Sequence, residues 1–253
     1  MLPAERKQHI LKYVLKKSRA TIKELSMHFE VHEATIRRDL TEMEENNTIM
    51  RTHGGVILNE ENIYSEPHFK MREDFFNEEK KRIGLKAATF IQNGDTIILD
   101  SGTTTSHIAE AIKNRENITV ITNDIHIATL LHRTQLKVII TGGVLYPENF
   151  ILNGEFTNQT LQHLNVNKAF IATPALHHDK GLTHFDEALV SAKIKMIEAA
   201  QEIYVATDHS KISKVSLYTF GKIHEIDYII TDSNINEHIK DEFQQRGRRI
   251  IIA

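Results

Sequence analysis

The stretch Thr21-Ile-Lys-Glu-Leu-Ser-Met-His-Phe29, followed by Glu30-Val-His32 and Glu33-Ala-Thr-Ile-Arg-Arg-Asp39, decides the fold of the N-terminal part of the chain. Thr21 and Glu24 have the spacing of a capping box, and the apolar residues that follow recur at helical spacing. A three-residue corner separates this helix from a second one that begins at Glu33. Two short helices joined in this way form a helix-turn-helix, whose second helix can enter the major groove of DNA.

The second helix has an apolar stripe, and its polar residues lie off that stripe. We interpret these polar residues as groups that contact DNA phosphates or bases. The alternative is a solvated helix face with two ordinary charges. The cap, the corner and a small residue at the start of the helix all favour DNA. The predicted contacts on this helix are Ala34, Thr35, Arg37 and Arg38.

The flanking sequence completes a winged helix over residues 1–58. The range Ala4–Lys17 has the periodicity of a further helix. Residues 48–53 alternate as in a strand, and Gly54-Gly55 permits a tight turn before a second short strand. Arg51 and His53 are predicted on or beside this wing, near the DNA backbone. His53 could equally be a turn residue that bonds its own backbone.

Composition and charge restrict the class of protein. The chain has 253 residues, no cysteine and a formal net charge of −3. The lack of cysteine excludes disulfides and thiolate zinc sites and fits a cytoplasmic protein, as does the lack of an apolar run long enough to span a membrane. Residues 1–57 hold 10 Lys and Arg against 8 Asp and Glu, and the remainder holds 21 against 26. Because this basic excess is small, we expect two or more copies to bind double-stranded DNA together, as a homodimer or a tetramer.

The rest of the chain divides into a polar segment, residues 59–77, predicted as a linker, and residues 78–253, predicted as an α/β domain. Seven short β-branched runs in the second part alternate mostly with helical segments, which favours a largely parallel sheet. Ligands of such sheets bind beyond the carboxyl ends of the strands. The runs are residues 96–100, 118–121, 138–141, 169–172, 203–207, 228–231 and 249–252.

Polar or glycine-rich turns follow four of these runs. The first, Asp100-Ser-Gly-Thr-Thr-Thr105, leads into a helix and combines a flexible glycine, hydroxyl groups and a helix N-terminus. These groups suit a phosphate, although an ordinary capped strand-to-helix turn would look similar. The other turns are Thr122-Asn123, Thr141-Gly142-Gly143 and Thr207–Lys211. Lys211 could reach an anion or could be a surface lysine.

The segments Val31-His-Glu-Ala-Thr-Ile-Arg-Arg-Asp-Leu40 and Arg51-Thr-His-Gly-Gly55 resemble the N-terminal signature of the DeoR-type, or GlpR-type, bacterial transcriptional regulators. The resemblance continues through the chain. It implies a repressor of a carbohydrate-metabolism operon, with a C-terminal domain similar to the sugar-phosphate isomerase and CoA-transferase superfamily that senses a phosphorylated sugar. The residues that match the family's effector motifs are Asp100, Ser101, Gly102, Thr103, Thr104, Thr105, Thr122, Asn123, Gly142, Gly143, Asp186 and Lys211.

The chain departs from the family pattern at Thr173-Pro-Ala-Leu176, where the family has a Gly-Ala-Asp-Gly-like turn. This departure motivates a second hypothesis, a regulator whose effector is not a phosphorylated sugar. A third is an isomerase-like enzyme that uses Asp100, Asp186 and Lys211 as acid and base groups. We favour a regulator without catalytic activity. His177-His178-Asp179 is the tightest histidine cluster, but its turn context favours a solvated loop, so we predict no metal and no cofactor.

Overall fold

The structure is a computed structural model that describes residues 2–17, 19–45, 49–52, 54–58 and 69–253. The chain forms two compact units, Met1–Asn62 and Ile63–Ala253. The linker predicted at residues 59–77 spans their boundary. Its residues 59–68 lie outside the described ranges, whereas a short helix occupies residues 69–74.

The N-terminal unit is a winged helix, as predicted. Its β-strands form one antiparallel sheet in the order β1-β3-β2. The elements are α1 Pro3–Lys17, β1 Arg19–Thr21, α2 Ile22–Phe29, α3 Glu33–Glu45, β2 Ile49–Thr52 and β3 Gly55–Leu58. Strand β1 was not predicted, because three residues carry no recognisable period. It pairs with β3 through main-chain hydrogen bonds and buries Ala20.

The predicted capping box is present at the start of α2. The Thr21 hydroxyl accepts from the amide of Glu24 at 3.1 Å, and the Glu24 carboxylate accepts from the amide of Thr21 at 2.7 Å. The helix ends at Phe29. The next residue, Glu30, has a left-handed backbone (φ 53°), and the amide of Val31 donates to Ser26 O. This local geometry produces the corner between α2 and α3.

The C-terminal unit is an α/β domain. In chain order its elements are α4 Phe69–Asp74, α5 Asn77–Ala88, β4 Thr96–Leu99, α6 Thr103–Ile112, β5 Thr119–Thr122, α7 Ile125–Leu131, β6 Lys137–Ile140, β7 Val144–Tyr146, β8 Ile151–Asn153, α8 Glu155–Gln162, β9 Val166–Ile171, β10 Ala175–His177, β11 Gly181–His184, α9 Glu187–Glu198, β12 Ala200–Ala206, β13 Tyr218–Gly221, β14 Tyr228–Thr231, α10 Glu237–Gln245 and β15 Arg249–Ile252.

Seven of these strands form one parallel sheet in the order β15-β14-β12-β9-β4-β5-β6. They are the seven apolar runs predicted from the sequence. The chain runs outward from β4 to β5 and β6, and then returns to β9 on the other side of β4. The carboxyl ends of β4 and β9 therefore form a topological switch point, where ligands of open α/β sheets bind.

Both faces of the sheet are covered, which explains the continuous apolar character of its strands. Ile98 belongs to one buried cluster with Ala169 and Val205, whereas Ile97 and Leu99 belong to a second cluster with Ile83. Two small sheets were not predicted: the hairpin β7-β8 and the three-stranded sheet β10-β11-β13. Within the described ranges, each helix is too short or too polar to cross a lipid bilayer.

Candidate functional site

Helix α3 presents the predicted DNA-contacting residues at its surface. Arg37, Arg38 and Ala34 are exposed and Thr35 is half-buried, whereas Ile36 and Leu40 lie in the core. The Arg37 guanidinium lies 3.3 Å from the Glu33 carboxylate, one helical turn away. Such an exposed pair is weak, so the arginine can exchange this partner for a phosphate or a base.

Two interactions orient α3. The His32 ring nitrogen Nδ1 accepts from the amide of Ala34 at 3.3 Å, so this histidine occupies the cap position at the start of the helix. Further along, Asp39 accepts two hydrogen bonds from Arg6 of α1, at 2.6 and 3.1 Å. Both side chains are buried, and the hydrogen bond to Asp39 raises the pKa of Arg6. No local pattern in the sequence marks this pair, because its members are 33 residues apart.

Arg51 connects strand β2 of the wing to α3 by hydrogen bonds. Its side chain donates to the Thr41 hydroxyl at 2.7 Å, and its amide donates to the Glu44 carboxylate at 3.2 Å. These contacts give Arg51 a structural role within the unit, and a DNA contact by this residue stays a prediction. The other wing residue predicted to contact DNA, His53, lies outside the described residues.

The first turn at the sheet edge joins β4 to α6. Helix α6 begins at Thr103, so the three threonines form its first turn. The helix has no side-chain cap, and its first amide groups point beyond the end of the strand. The Thr105 hydroxyl donates to Gly102 O at 2.9 Å. A β-carbon at Gly102 would lie 2.6 Å from Ala172 Cβ, so only glycine fits between these loops.

Asp100, the residue that precedes this turn, is buried and makes hydrogen bonds to the loop after β9 and to α9. It is 1% exposed, and its Oδ2 accepts from Lys193 Nζ at 2.5 Å and from the amide of Ala172 at 2.9 Å. Lys193 also donates to Ala172 O at 2.9 Å. Burial raises the pKa of Asp100, and the Lys193 ammonium opposes that rise. The pair thus joins the loops after β4 and β9, and contact of Asp100 with an effector stays a prediction.

Lys193 is not among the residues that the sequence predicts for the site. The residue lies inside the apolar stripe of α9, among buried Leu189, Ala192, Met196 and Ile197. A lysine within such a stripe needs a buried partner, because an unpaired buried charge is costly. The position of Lys193 within an apolar helical stripe is therefore the sequence feature from which a buried ion pair could be predicted.

The loop after β5 is hydrogen-bonded to the turn after β4. Asp124, which is fully buried, accepts from the Ser101 hydroxyl at 2.6 Å and from the amide of Ile127 at 3.0 Å. Burial raises the pKa of Asp124. Asn123 donates through Nδ2 to Leu152 O at 3.1 Å, and its buried Oδ1 has no partner among the described residues. The loops after β4 and β5 are therefore one hydrogen-bonded structure.

The glycine pair Gly142-Gly143 follows β6, the strand next to β5. Gly142 O accepts from the Thr157 hydroxyl at 2.6 Å. Gly143 has a φ of 130°, and a β-carbon there would lie 2.3 Å from Thr157 Oγ1 and 2.7 Å from Asn153 O. Gly142 also has a positive φ, of 72°, but no atom lies within 4 Å of the corresponding β-carbon position.

The two glycines provide a matched prediction. Replacing Gly143 with alanine is expected to destabilise the C-terminal unit by about 2–4 kcal/mol, because strain at positive φ adds to a clash with backbone. Replacing Gly142 with alanine adds the strain alone, about 1 kcal/mol. Urea unfolding of both variants measures the difference. Equal effects would show that Gly143 is not closely packed.

Among the described residues, no hydrogen bond joins the side chain of Asp186 or Lys211 to this network. Asp186 caps α9 by accepting from the amide of Ala188 at 2.9 Å. Lys211 is half-exposed in a single helical turn at residues 209–211, and its ammonium has no partner among the described residues. Hydrogen bonds join the loops after β4 and β5, but none in the described ranges joins Lys211 to them. Contact of either residue with an effector stays a prediction.

His209 and Asp232 form an ion pair at the carboxyl ends of β12 and β14. His209 Nδ1 lies 2.9 Å from Asp232 Oδ1, and the Phe76 ring packs edge-on against the histidine with centroids 4.9 Å apart. The hydrogen bond to Asp232 raises the pKa of His209. Burial alone would raise the pKa of Asp232, but its hydrogen bonds from His209 outweigh burial and bring it to about 2.

This pair predicts a pH dependence. The raised pKa of His209 stabilises the fold below the ordinary histidine value and ceases to do so above the raised one, whereas the lowered pKa of Asp232 stabilises it above the ordinary aspartate value. The contribution is therefore largest between about pH 4 and 6.5. Urea unfolding at about pH 5.5 and 8.5 should show a larger stability difference between the wild type and His209→Gln at the lower pH. A difference independent of pH would contradict the assignment.

The cluster His177-His178-Asp179 has side-chain ligand atoms within 4.8 Å of one another. Partners from within the protein already engage all three members, and His178 Nδ1 lies 2.9 Å from the Glu242 carboxylate. His177 Nδ1 accepts from the amide of Asp179 at 3.1 Å, and Asp179 accepts from Arg246 Nη2 at 2.5 Å. The structure thus gives the cluster a role in holding the β10-β11 turn against α10.

The two units together define a class of protein. A winged helix with an exposed arginine pair on the second helix of its helix-turn-helix is a DNA-binding unit. The attached α/β unit has uncapped helix amides, hydroxyls and glycines at a switch point, which is the arrangement of a small-molecule sensor.

Comparisons with known proteins define the class further. The family model of the DeoR-like helix-turn-helix domain matches residues 6–62, and that of the DeoR C terminal sensor domain matches residues 76–233. The chain therefore belongs to the DeoR family of DNA-binding transcriptional regulators.

Several similar proteins match over nearly the whole chain. An uncharacterized HTH-type transcriptional regulator of Haemophilus influenzae is 37% identical over 100% of this chain and 98% of its own. The HTH-type transcriptional repressor GlcR of Bacillus subtilis is 33% identical, covering 100% and 97%. The glycerol-3-phosphate regulon repressor of Escherichia coli is 31% identical, covering 92% of each chain.

The α/β unit also has remote structural similarities. Ribose 5-phosphate isomerase A from Methanocaldococcus jannaschii superposes with a TM-score of 0.42 and 15% identity, covering 54% of this chain and 55% of the isomerase. A 4-hydroxybutyrate CoA-transferase from Porphyromonas gingivalis has a TM-score of 0.39 and 15% identity, covering 61% and 46%. These similarities concern the fold alone.

Proposed function

We propose that this protein is a transcriptional repressor of carbohydrate-metabolism genes that binds operator DNA in the cytoplasm and is controlled by a phosphorylated sugar or polyol. The supporting observation is the set of turns at the carboxyl ends of the neighbouring strands β4, β5 and β6. There, the uncapped amides of α6, the hydroxyls of Thr103 and Thr104, and the Gly142-Gly143 turn follow adjacent strands. A dianionic phosphate suits the positive end of a helix and its free N–H groups.

The hydroxyl-bearing part of the effector has a candidate partner in Asn123. Its Nδ2 donates to Leu152 O, which orients the amide and leaves the buried Oδ1 without a partner among the described residues. An unpaired buried acceptor favours a ligand that brings a donor, such as a sugar hydroxyl. The relatives support the same chemistry, because one is named a glycerol-3-phosphate regulon repressor.

The experiment has two stages. Selection from a random duplex library with the full-length protein identifies its binding sequence and the stoichiometry, which we expect to be two or four copies per site. Titration then compares triose, pentose and hexose phosphates with their unphosphorylated forms, using DNA affinity and thermal unfolding as readouts. A ligand at about 100 times its dissociation constant adds roughly 2.7 kcal/mol of stability. Response only to unphosphorylated compounds would replace the phosphosugar with the alternative effector class.

A prediction for the DNA-binding unit accompanies this proposal. Replacing Arg37 or Arg38 with alanine should weaken binding to the selected duplex by about 1–3 kcal/mol if the arginine contacts a base. A phosphate contact should instead reduce the salt dependence by about one unit of slope. Gel shifts at several salt concentrations distinguish the two. Lys23→Ala, at an exposed position of α2, is the control. Unchanged affinity and salt slope for both arginine variants would reject α3 as the contact surface.

The isomerase-like alternative has less support from the geometry. Asp100 is buried in an ion pair with Lys193, and Asp186 caps a helix, so two of the three acid-base candidates have structural partners. Assay of sugar-phosphate turnover in the same panel tests this alternative directly, and sustained turnover would favour it.

A further inference from the structure

We propose that the β7-β8 hairpin and α4 form a latch, which transmits occupancy of the effector site to the chain segment that leads to the DNA-binding unit. The latch consists of Asn149 and Phe150 on the hairpin with Phe69 and Arg72 on α4. This inference rests on the proposed function, because it concerns regulation by the ligand of the same site.

The β7-β8 hairpin is connected to the candidate site at both of its strands. It begins directly after Gly143, and its second strand is held by the loop after β5. The amide of Leu152 donates to Asn123 O at 2.8 Å, and Asn123 Nδ2 donates to Leu152 O at 3.1 Å. Asn123 therefore has one side-chain atom on the hairpin and one buried oxygen, Oδ1, without a partner among the described residues. A ligand that donates to Oδ1 would act on the side chain that holds the hairpin.

The turn of the hairpin holds α4. Arg72 donates to Asn149 Oδ1 at 2.9 Å. The buried Phe69 ring packs edge-on against Phe150 with centroids 5.4 Å apart. It also lies tilted against the His126 ring of α7, with centroids 5.1 Å apart. The amide of Ile125, two residues after Asn123, donates to Phe150 O at 2.9 Å. The same loop after β5 thus contacts the hairpin at both its second strand and its turn.

Strained backbone lies at both ends of this arrangement. Phe150 has a φ of 59° and Phe76, just after α4, has a φ of 52°. A bulky aromatic residue in the left-handed region is unfavourable and persists only where surrounding contacts enforce it. If the hairpin moves, relief of this strain favours release of α4, which gives the latch a second state. Helix α4 contains the first described residues of the C-terminal unit, so its release changes the amino-terminal end of the described part of that unit.

The test is hydrogen exchange of the full-length protein with inorganic phosphate and with glycerol 3-phosphate as probes. Peptides covering residues 101–106 report the site, and peptides covering 69–76 report α4. In the wild type, glycerol 3-phosphate should protect the first segment and change exchange in the second by about fivefold or more. In Asn149→Ala and Phe150→Asn, the first response should remain and the second should fall below about twofold.

The variants are chosen to keep the fold. Phe150 is partly exposed, and asparagine tolerates the left-handed backbone, so Phe150→Asn removes the ring and keeps the turn. Leu145→Ala, at an exposed position of the same hairpin, is the matched control and should behave as the wild type. Protection of residues 101–106 without a change at 69–76, or a wild-type response in both latch variants, would overturn the latch alone. Absence of protection at residues 101–106 with both probes would reject the proposed effector site, and the latch with it.

Discussion

Asp39→Ala is expected to destabilise the winged-helix unit by about 3–5 kcal/mol, because it leaves the Arg6 guanidinium buried without a counter-charge. The two side chains are 7% and 1% exposed, and the pair joins α1 to the helix that carries Arg37 and Arg38. A unit of roughly 60 residues has only a few kcal/mol of stability, so this loss should unfold a large fraction of it. Circular dichroism and urea unfolding measure the effect, together with loss of DNA binding.

Two further variants define the cause. Glu42→Ala breaks the Lys7–Glu42 pair between the same two helices, whose side chains are 30% and 46% exposed, and should cost at most about 1 kcal/mol. The double variant Arg6→Met/Asp39→Leu removes both buried charges and should recover much of the lost stability. If Asp39→Ala and Glu42→Ala had equal effects, burial of the Arg6–Asp39 pair would not be the determinant.

Lys193→Met is expected to have a comparable effect on the C-terminal unit. It leaves the Asp100 carboxylate, which is 1% exposed, without its ammonium partner, at a cost of about 3–5 kcal/mol near neutral pH. The same change removes the donor to Ala172 O and so loosens the loops at the switch point between β4 and β9. We therefore expect effector binding to be lost even under conditions in which the unit remains folded.

The pH dependence identifies the responsible group. Burial raises the pKa of Asp100, and removal of Lys193 removes the group that opposes this rise. An acid whose pKa is raised in the folded state destabilises that state as the pH rises above the unfolded value. Lys193→Met should thus lose less stability at about pH 5 than at about pH 8, as measured by urea unfolding.

Two control variants test whether the loss of stability comes from the unpaired Asp100 charge or from a general destabilisation of α9. Lys195 pairs with Glu198 on the surface of the same helix, and Lys195→Met should change stability by less than about 1 kcal/mol. Asp100→Asn combined with Lys193→Met removes the unpaired charge and should abolish the pH dependence. Its persistence in the double variant would assign the titration to another group.

Local patterns predicted much of the fold. Thr21 and Glu24 marked a helix start because a capping box closes within four residues, and the seven runs of the large sheet were visible because strands buried on both faces are continuously apolar. The hairpin β7-β8 and strand β1 were missed, because elements of three residues are too short to have a period. Their pairing partners lie elsewhere in the chain, and only the folded chain provides them.

Some residues of the candidate site could be predicted from the sequence, and others could not. The glycines and hydroxyl-bearing residues of the turns could be located, since they follow recognisable strands. The burial of Asp100 and its ion pair with Lys193 could not be seen from its sequence neighbours. Asp124 and Lys193 were missed, because their roles depend on partners 23 and 93 residues distant in sequence.

The amino-acid sequence by itself therefore determined the kind of elements, their order and the two-unit organisation of a DeoR-family regulator. These properties depend on interactions between residues within a few positions of each other, such as caps, turns and hydrophobic periodicity. Tertiary structure alone decided which carboxylates are buried, which cation neutralises each, and how Asn123 links the site to the hairpin. Such properties depend on the removal of water around a charge or an amide, and that happens only when distant segments pack together.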